Sequence, residues 1–338
     1  MNKTLADDIV EITNRDNYDF LRNRTVLISG ATGFLGSIIA RTIVFLNNNY
    51  HYDTRLILIY RTRKKIPEDL KNLKNVKWIE SDLSSQLVID DEIDYIIHAA
   101  SPTRSEFFVS NPVETLDIIA NGAKTMLEFA KTKDIRKFLL VSSMEAYGTL
   151  MKTDVDENDQ GYIDLMSSRS SYSFGKRAAE LYSYLYYKEY GVPTSIARLA
   201  MCFGAGLPSD DNRAHKSFCE SAIAGNDIVL RSNGETRINF IYSVDAICAI
   251  FSILRDGKDG EMYNVAADNP NCTIKDMAQY IANLGDVNVR IDTVGDTCFA
   301  PVNGMIMDNK KIKKIGWKPK YQFNDAIDRL YRSLLERQ

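Results

Sequence analysis

One segment near the start of the chain restricts the fold more than any other. Thr25–Ser29 is a short apolar run that meets Gly30-Ala31-Thr32-Gly33-Phe34-Leu35-Gly36 and passes into a second apolar stretch, Phe34–Leu46. That order predicts a strand, a tight turn and a helix. Further runs at Leu56–Tyr60, Val76–Ile79, Tyr95–His98, Phe138–Ser142 and Thr194–Leu199 read as strands. Pro112–Lys131 carries Val113, Leu116, Ile119, Ala120, Ala123, Leu127 and Ala130 at helical spacing. Strands that alternate with helices imply a parallel sheet, because parallel crossovers need a helix. Near-continuous apolar strands such as Leu56–Ile59 agree with burial on both faces. The expected class is α/β, a doubly wound parallel sheet with a smaller C-terminal lobe.

The chain has 338 residues, 45% of them hydrophobic, enough for a large core. Its 42 Lys and Arg against 45 Asp and Glu leave a formal charge of −3, which gives no electrostatic reason to bind nucleic acid or an anionic membrane. The five cysteines, Cys202, Cys219, Cys248, Cys272 and Cys298, form no C-x-x-C pair and have only three His to join them, so neither a disulfide framework nor a metal site is expected. Met1–Asp19 lacks the order of a signal peptide, and Phe34–Leu46 is too short for a span and is broken by Arg41. A soluble cytoplasmic protein is expected. Residues 24–200 with 240–268 read as a dinucleotide-binding domain. Residues 201–239 with 269–338, loosened by Gly204, Gly206, Pro208, Pro270, Pro301 and Pro319, read as a substrate lobe, and 1–23 as an N-terminal extension.

Glycines at the strand-to-helix turn let a pyrophosphate approach the backbone, where the helix N-terminus offers unpaired N–H groups. The G-x-x-G-x-x-G spacing resembles the extended short-chain dehydrogenase/reductases, the NAD-dependent epimerase/dehydratase family that acts on nucleotide-linked sugars. The resemblance implies a Rossmann fold with cofactor contacts from Gly30, Thr32, Gly33, Phe34, Leu35, Gly36, Leu83, Ala99, Ala100 and Ser101, and from Asp82 to the adenine. Cofactor choice is read at the end of the second strand, where an acid would bind a ribose 2′-hydroxyl and an arginine a 2′-phosphate. Here the strand ends in Tyr60-Arg61-Thr62-Arg63 with no Asp or Glu. A guanidinium binds phosphate in bidentate fashion, so Arg61 and Arg63 favour NADP(H) over NAD(H). The segment also resembles that of the NADPH-using GDP-fucose synthases.

Tyr172 and Lys176 stand four residues apart, on one face of a helix. A phenol is a sluggish acid-base group at neutral pH, and a nearby cation favours its phenolate. Ser142-Ser143-Met144-Glu145-Ala146-Tyr147-Gly148, just past a strand, resembles the family's catalytic serine segment. By that match Ser143 hydrogen-bonds the reacting oxygen, Lys176 holds the nicotinamide ribose, and Glu145 is a second acid-base or pocket group. His98–Pro102, Asn111–Thr115 and Tyr172-x-x-Gly175-Lys176-Arg177 are similar to UDP-glucuronate decarboxylases, and Arg237 matches the arginine that holds the substrate's diphosphate. Lys216, Phe218 and Arg231 are further candidate substrate contacts.

Two methionines depart from the family pattern. Met144 replaces the dehydratases' aspartate and the decarboxylases' hydroxyl residue, and Met201 replaces a sugar-contacting asparagine. A thioether donates no proton, so dehydration is disfavoured and decarboxylation weakened. With Arg61, this points to an NADPH-dependent reductase of a keto group on a nucleotide-diphosphate sugar, such as a CDP-linked ketose reduced to an alditol for surface (capsular) polysaccharide. The alternatives are a redox-neutral, NAD-dependent decarboxylase or 4-epimerase and, in another class, a non-catalytic NADP(H)-binding sensor. The resemblance also implies a homodimer formed through the helix that carries Tyr172.

Overall fold

The computed structural model describes residues 1–268, 272–292 and 304–337; Pro270, Cys298 and Pro301 lie outside them. Seven strands form one sheet: β1 (Thr25–Ser29), β2 (Arg55–Tyr60), β3 (Val76–Glu80), β4 (Tyr95–His98), β5 (Lys137–Ser143), β6 (Thr194–Leu199) and β7 (Glu261–Val265). Their order is β7-β6-β5-β4-β1-β2-β3, with every neighbouring pair parallel. This is the doubly wound arrangement that the alternating pattern implies. The chain runs outward from β1 to β3 and returns to β4 on β1's other side, so the carboxyl ends of β1 and β4 diverge at the switch point where such sheets bind ligands.

Eight helices of ten residues or more accompany the sheet among the described residues: α1 (Lys3–Arg15), α2 (Phe34–Tyr50), α3 (Pro112–Lys131), α4 (Ser170–Tyr190), α5 (Ala214–Ile223), α6 (Ser243–Asp256), α7 (Ile274–Gly285) and α8 (Phe323–Leu335). Strand periodicity sorts β1 between two layers. Val26 and Ile28 join the core beneath α2, with Ile39 and Ile43, whereas Leu27 joins Ile119, Ala123 and Leu127 of α3. Short parallel pairs, Met201–Phe203 with Phe240–Tyr242 and Ile228–Leu230 with Val289–Ile291, build the region beyond β6. Cys202, Cys219, Cys248 and Cys272 are free and buried, and burial pushes each thiol up to about 12. No described helix is long and apolar enough to cross a membrane.

The segment 1–23, set apart by sequence as an extension, folds into the body of the protein. Asn2 caps α1, its side chain accepting from the Leu5 N–H at 3.0 Å while its amide donates to the Ser333 carbonyl at 2.7 Å. Asp8, 1% exposed, accepts from the Tyr242 hydroxyl at 2.7 Å and from Arg329 Nε at 2.9 Å. Glu11 accepts from Tyr321 and Lys320, and Arg15 pairs with Asp245, which also accepts the Lys320 and Tyr321 backbone N–H groups. The polar face of α1 is thus buried against α6 and α8 because each charge meets a partner there.

Burial raises the Asp8 carboxyl to about 6, with Arg329 and Tyr242 pulling it back. A folded-state value above the unfolded one means that the native state holds its proton more tightly, so this group's contribution to stability is present at low pH and is lost as pH rises through about 6. Arg329→Ala removes the cation that offsets the ionised form. Urea unfolding of that variant should show a loss of about 3 kcal/mol at pH 8 and a clearly smaller loss at pH 4.5; an equal loss at both would contradict this account of Asp8.

Candidate active site

The glycine turn and the end of β4 are in direct contact. Gly30 has φ +72°, and a Cβ there would lie 2.7 Å from the Ala99 carbonyl and the Ala100 nitrogen. The Gly33 N–H donates to the Gly30 carbonyl at 2.9 Å, and a Cβ at Gly36 would collide with that carbonyl. Only glycine permits this closure, and it leaves Thr32, Phe34 and Leu35 half-buried at the first turn of α2. Ala99, Ala100 and Ser101 continue β4 at the crevice, half-buried. Leu83 is buried with φ +61°, and Asp82 accepts from the Ser84 N–H and hydroxyl, which fixes the turn after β3. These residues fit a dinucleotide: a bare turn, a helix N-terminus and a crevice, in the order that sequence places them.

At the edge, Arg61 and Arg63 are exposed and form no ion pair among the described residues. A carboxylate is nevertheless close, since the Tyr60 hydroxyl donates to Glu80, the last residue of β3, at 3.2 Å. Reading β2 alone misses Glu80, which reaches Tyr60 only through the β2–β3 register.

Sheet register also assembles the reacting groups. Ser143 ends β5, and its hydroxyl accepts from the Glu145 N–H at 3.2 Å. Helix α4 packs across β5, so Lys176, 5% exposed, donates from Nζ to the Val141 carbonyl at 3.0 Å. Its ammonium lies 5.8 Å from the centroid of the Tyr172 ring. Burial pushes Lys176 down to about 8 while Glu180 raises it. His98, buried and joined to the Ser29 hydroxyl at 2.6 Å, is pushed down to about 3 by burial and by Lys176, and is neutral.

Tyr172 departs from the sequence expectation. Lys176 was expected to draw the phenol down, but burial dominates, followed by Glu145, and the phenol stands at about 12. The groups that pull it back are the Ser143 hydroxyl, Arg213 and Arg169. Each arginine is tied to a carboxylate: Arg169 to Glu145 by bonds of 2.7 and 3.2 Å, Arg213 to Asp211 at 2.7 Å and to the Cys202 carbonyl at 3.1 Å. Phe108 stacks on the Tyr172 ring, centroids 4.3 Å apart and planes at 15°. Sequence reading missed Phe108, Arg169 and Arg213. Arg169 had one signal, its place one turn before Tyr172; the other two had none.

The structure brings Ser143, Glu145, Tyr172 and Lys176 together. Met144 and Met201, both half-buried, follow the ends of the adjacent strands β5 and β6. Lys216 points elsewhere, its buried Nζ donating to the Ser209 carbonyl at 3.0 Å and to Glu220 at 2.6 Å. Arg231 is exposed and paired with Asp292, and Arg237 is exposed, bridging in backbone to Thr273. Among the contacts of the described residues, none places Lys216, Arg231 or Arg237 against Tyr172.

Because Gly30 has neither the φ nor the space for a side chain, Gly30→Ala should raise the dinucleotide dissociation constant at least about tenfold, roughly 1.4 kcal/mol. Nicotinamide fluorescence titration reads this directly, and unchanged affinity would remove the turn from the cofactor site.

Residues 26–266 match the model of the NAD dependent epimerase/dehydratase family. Among curated proteins, UDP-glucuronic acid decarboxylase 3 of Arabidopsis thaliana is 28% identical over 314 residues, covering 90% of this chain and 87% of that protein. The dTDP-D-glucose 4,6-dehydratase of Homo sapiens is 24% identical over 317 residues, covering 90% and 88%. Among solved structures, the epimerase Mth375 of Methanothermobacter thermautotrophicus superposes with a TM-score of 0.81 at 20% identity, over 99% of this chain and 96% of that one. DesIV, a dTDP-glucose 4,6-dehydratase of Streptomyces venezuelae solved with NAD bound, gives 0.78 at 18% identity over 92% and 97%. With more than half of its length matched by the family model, the chain belongs to the NAD dependent epimerase/dehydratase family.

Proposed function

We propose that this chain is an NADPH-dependent reductase of a keto group on a nucleotide-diphosphate-linked sugar. The observation that carries the reading is the edge of β2, where Arg61 and Arg63 are exposed and, among the described residues, in no ion pair, with Arg61 acting on Asp82 only through its longer-range field, so that both guanidinium groups are accessible to a 2′-phosphate. The chamber is compatible with it, since burial keeps Tyr172 protonated, the form from which a reduction step draws its proton.

The nicotinamide, when bound, supplies hydride to the carbonyl carbon. Tyr172 donates its proton to the carbonyl oxygen, and the Ser143 hydroxyl hydrogen-bonds that oxygen. Lys176 holds the nicotinamide ribose. Glu145, fixed by Arg169 and by the Ser173 hydroxyl at 3.4 Å, forms one wall of the sugar pocket. Residues 24–200 with 240–268 form the cofactor half of the site in this proposal, and 201–239 with 269–338 the nucleotide-sugar half, where Arg237 meets the diphosphate.

A second reading is a redox-neutral decarboxylase or epimerase that retains NAD(H). Two observations favour it: the bidentate Glu145–Arg169 pair, a built carboxylate that a simple reductase does not need, and the decarboxylases among the relatives.

One experiment separates the two. NADPH and NADH are titrated by fluorescence against the native protein and Arg61→Ala, and a panel of UDP-, dTDP-, GDP- and CDP-linked keto sugars, including a CDP-linked ketose, is followed at the nicotinamide absorbance. The reductase reading expects tighter NADPH binding, lost about tenfold in Arg61→Ala with NADH unchanged, and stoichiometric NADPH oxidation that Tyr172→Phe abolishes while still binding cofactor. Co-purified NAD with no net oxidation moves the redox-neutral reading to first place. Turnover undiminished in Tyr172→Phe would sink both.

We further propose a homodimer built on α4, whose Phe174, Leu181 and Leu185 are 43%, 56% and 43% exposed on one side of the helix. Size-exclusion chromatography with light scattering should give a dimer for the native chain and a monomer for Leu181→Glu/Leu185→Glu. A native monomer would refute it.

A further inference from the structure

The helix face that carries Tyr172 and Lys176 continues one turn further to Glu180, since residues four apart lie above one another. Glu180 is 4% exposed, and its carboxylate accepts from the Ser142 hydroxyl at 2.6 Å and from Arg198 Nε and Nη2 at 3.0 and 2.5 Å. Ser142 lies on β5 between Val141, whose carbonyl receives the Lys176 ammonium, and Ser143. Three successive residues of β5 therefore meet Lys176, Glu180 and Tyr172 in turn. Arg198 lies over the Tyr147 ring at 4.1 Å, and the Tyr147 hydroxyl donates to Asn264 at 2.8 Å.

A buried ion pair is a poor device for stability, because well-packed apolar residues of the same volume do as well or better. Its place directly behind Lys176 gives it another use. The charged and titratable groups around that ammonium are few. From β4 comes His98, which is neutral; from α4, Tyr172, Arg177 and Glu180; from β6, Arg198; and from the turn after β5, Tyr147. Arg177 faces away, donating to the Ala146, Tyr147 and Gly161 carbonyls. Glu145, from the turn after β5, is paired with Arg169 and acts on the Tyr172 phenol, so among the described residues Glu180 is the carboxylate whose charge bears on Lys176.

We propose that Glu180 is a positioning residue that keeps the Lys176 ammonium charged at neutral pH while Ser142 and Arg198 fix its carboxylate in place. The inference rests on the reading of Lys176 as the cofactor-holding partner of Tyr172. Its physical content is that a lysine this buried loses its proton readily, and burial does push Lys176 down to about 8 against the opposing effect of Glu180. Replacing the carboxylate by an amide removes the anion that, among the described residues, favours the charged form, so Lys176 deprotonates at lower pH.

The test is NADPH binding, followed by fluorescence from pH 6 to 9.5, for the native protein, Glu180→Gln, Glu180→Asp and Lys176→Met. Titration of the 2′-phosphate is common to all four, so ratios to native isolate the lysine. Glu180→Gln should bind like native at pH 6 and about fivefold more weakly at pH 8, the midpoint having moved about one pH unit lower. Glu180→Asp should restore the native midpoint, and Lys176→Met should lose the transition near pH 8. A loss in Glu180→Gln that is uniform across pH, with the midpoint still near 8, overturns the proposal and leaves a structural role only. Should Glu180→Gln fail to fold because Arg198 is orphaned, Glu180→Gln/Arg198→Met removes the pair together and must still move the midpoint downward, by less than Glu180→Gln alone because the opposing charge of Arg198 goes with it; a midpoint unchanged from native overturns the proposal. If Lys176→Met retains the transition, Lys176 is not the cofactor group, and both the site reading and the role of Glu180 fall. If only the glutamine variant fails to move the midpoint, the site reading stands and Glu180 alone is excluded.

Discussion

The chamber depends on one buried ammonium. Lys176 is 5% exposed, yet its Nζ reaches the Val141 carbonyl at 3.0 Å and so ties α4 to the carboxyl end of β5. An unpaired ammonium taken out of water carries a large desolvation penalty, and the surroundings reduce it by several small means. His98 on the facing strand is kept neutral, Val141 offers a carbonyl, and Glu180 offers a carboxylate. The position of Tyr172 one turn before Lys176 follows from the same contact. Its ring is then fixed by Phe108, which stacks on it from the short helix Ser105–Ser110. Moving the ammonium would disturb the helix, the strand end and the phenol together.

A second constraint holds the other side of the crevice. Gly30 lets the first turn press against Ala99 and Ala100, and the strand order reverses at that line. The N-terminal helix reaches the same region. Leu5 packs 3.3 Å from where a Gly206 Cβ would stand, and Met1, Asn2 and Leu5 share a cavity of about 310 Å³ with Thr32, Gly33, Phe34 and Pro208. The family match begins at residue 26, but the wall beside the glycine turn is completed by residues that precede it.

The sheet was legible in the sequence because its signal is local. Tyr95–His98 and Thr194–Leu199 have the bounds that their apolar runs imply, and Pro112–Lys131 is helical from its N-terminal proline to its last lysine. The Tyr172–Lys176 pair was legible for the same reason, a fixed spacing on one helix. Helix α1 was not, because Asp8, Glu11 and Arg15 look like a solvated face until Tyr242, Asp245, Tyr321 and Arg329, more than two hundred residues away, come to meet them. Phe108, Arg213 and Glu80 escaped for the same cause. The inward turn of Lys216 was not legible, because a lysine in a loop-rich segment carries no sign that its own helix, through Glu220, will take its charge.

Proton accounting bears on the direction of the chemistry. A redox-neutral cycle first asks the tyrosine to accept a proton from a hydroxyl and later to return it, whereas a net reduction asks it only to give one. Burial and Glu145 set Tyr172 at about 12, well on the side of the phenol. The cations that would draw it towards phenolate, Arg169 and Arg213, are each matched by a carboxylate, Glu145 and Asp211, so much of their field is cancelled where it would matter. The Ser143 hydroxyl is the strongest of the groups that pull the phenol back towards its ionised form. A site so balanced holds Tyr172 in its protonated form at neutral pH.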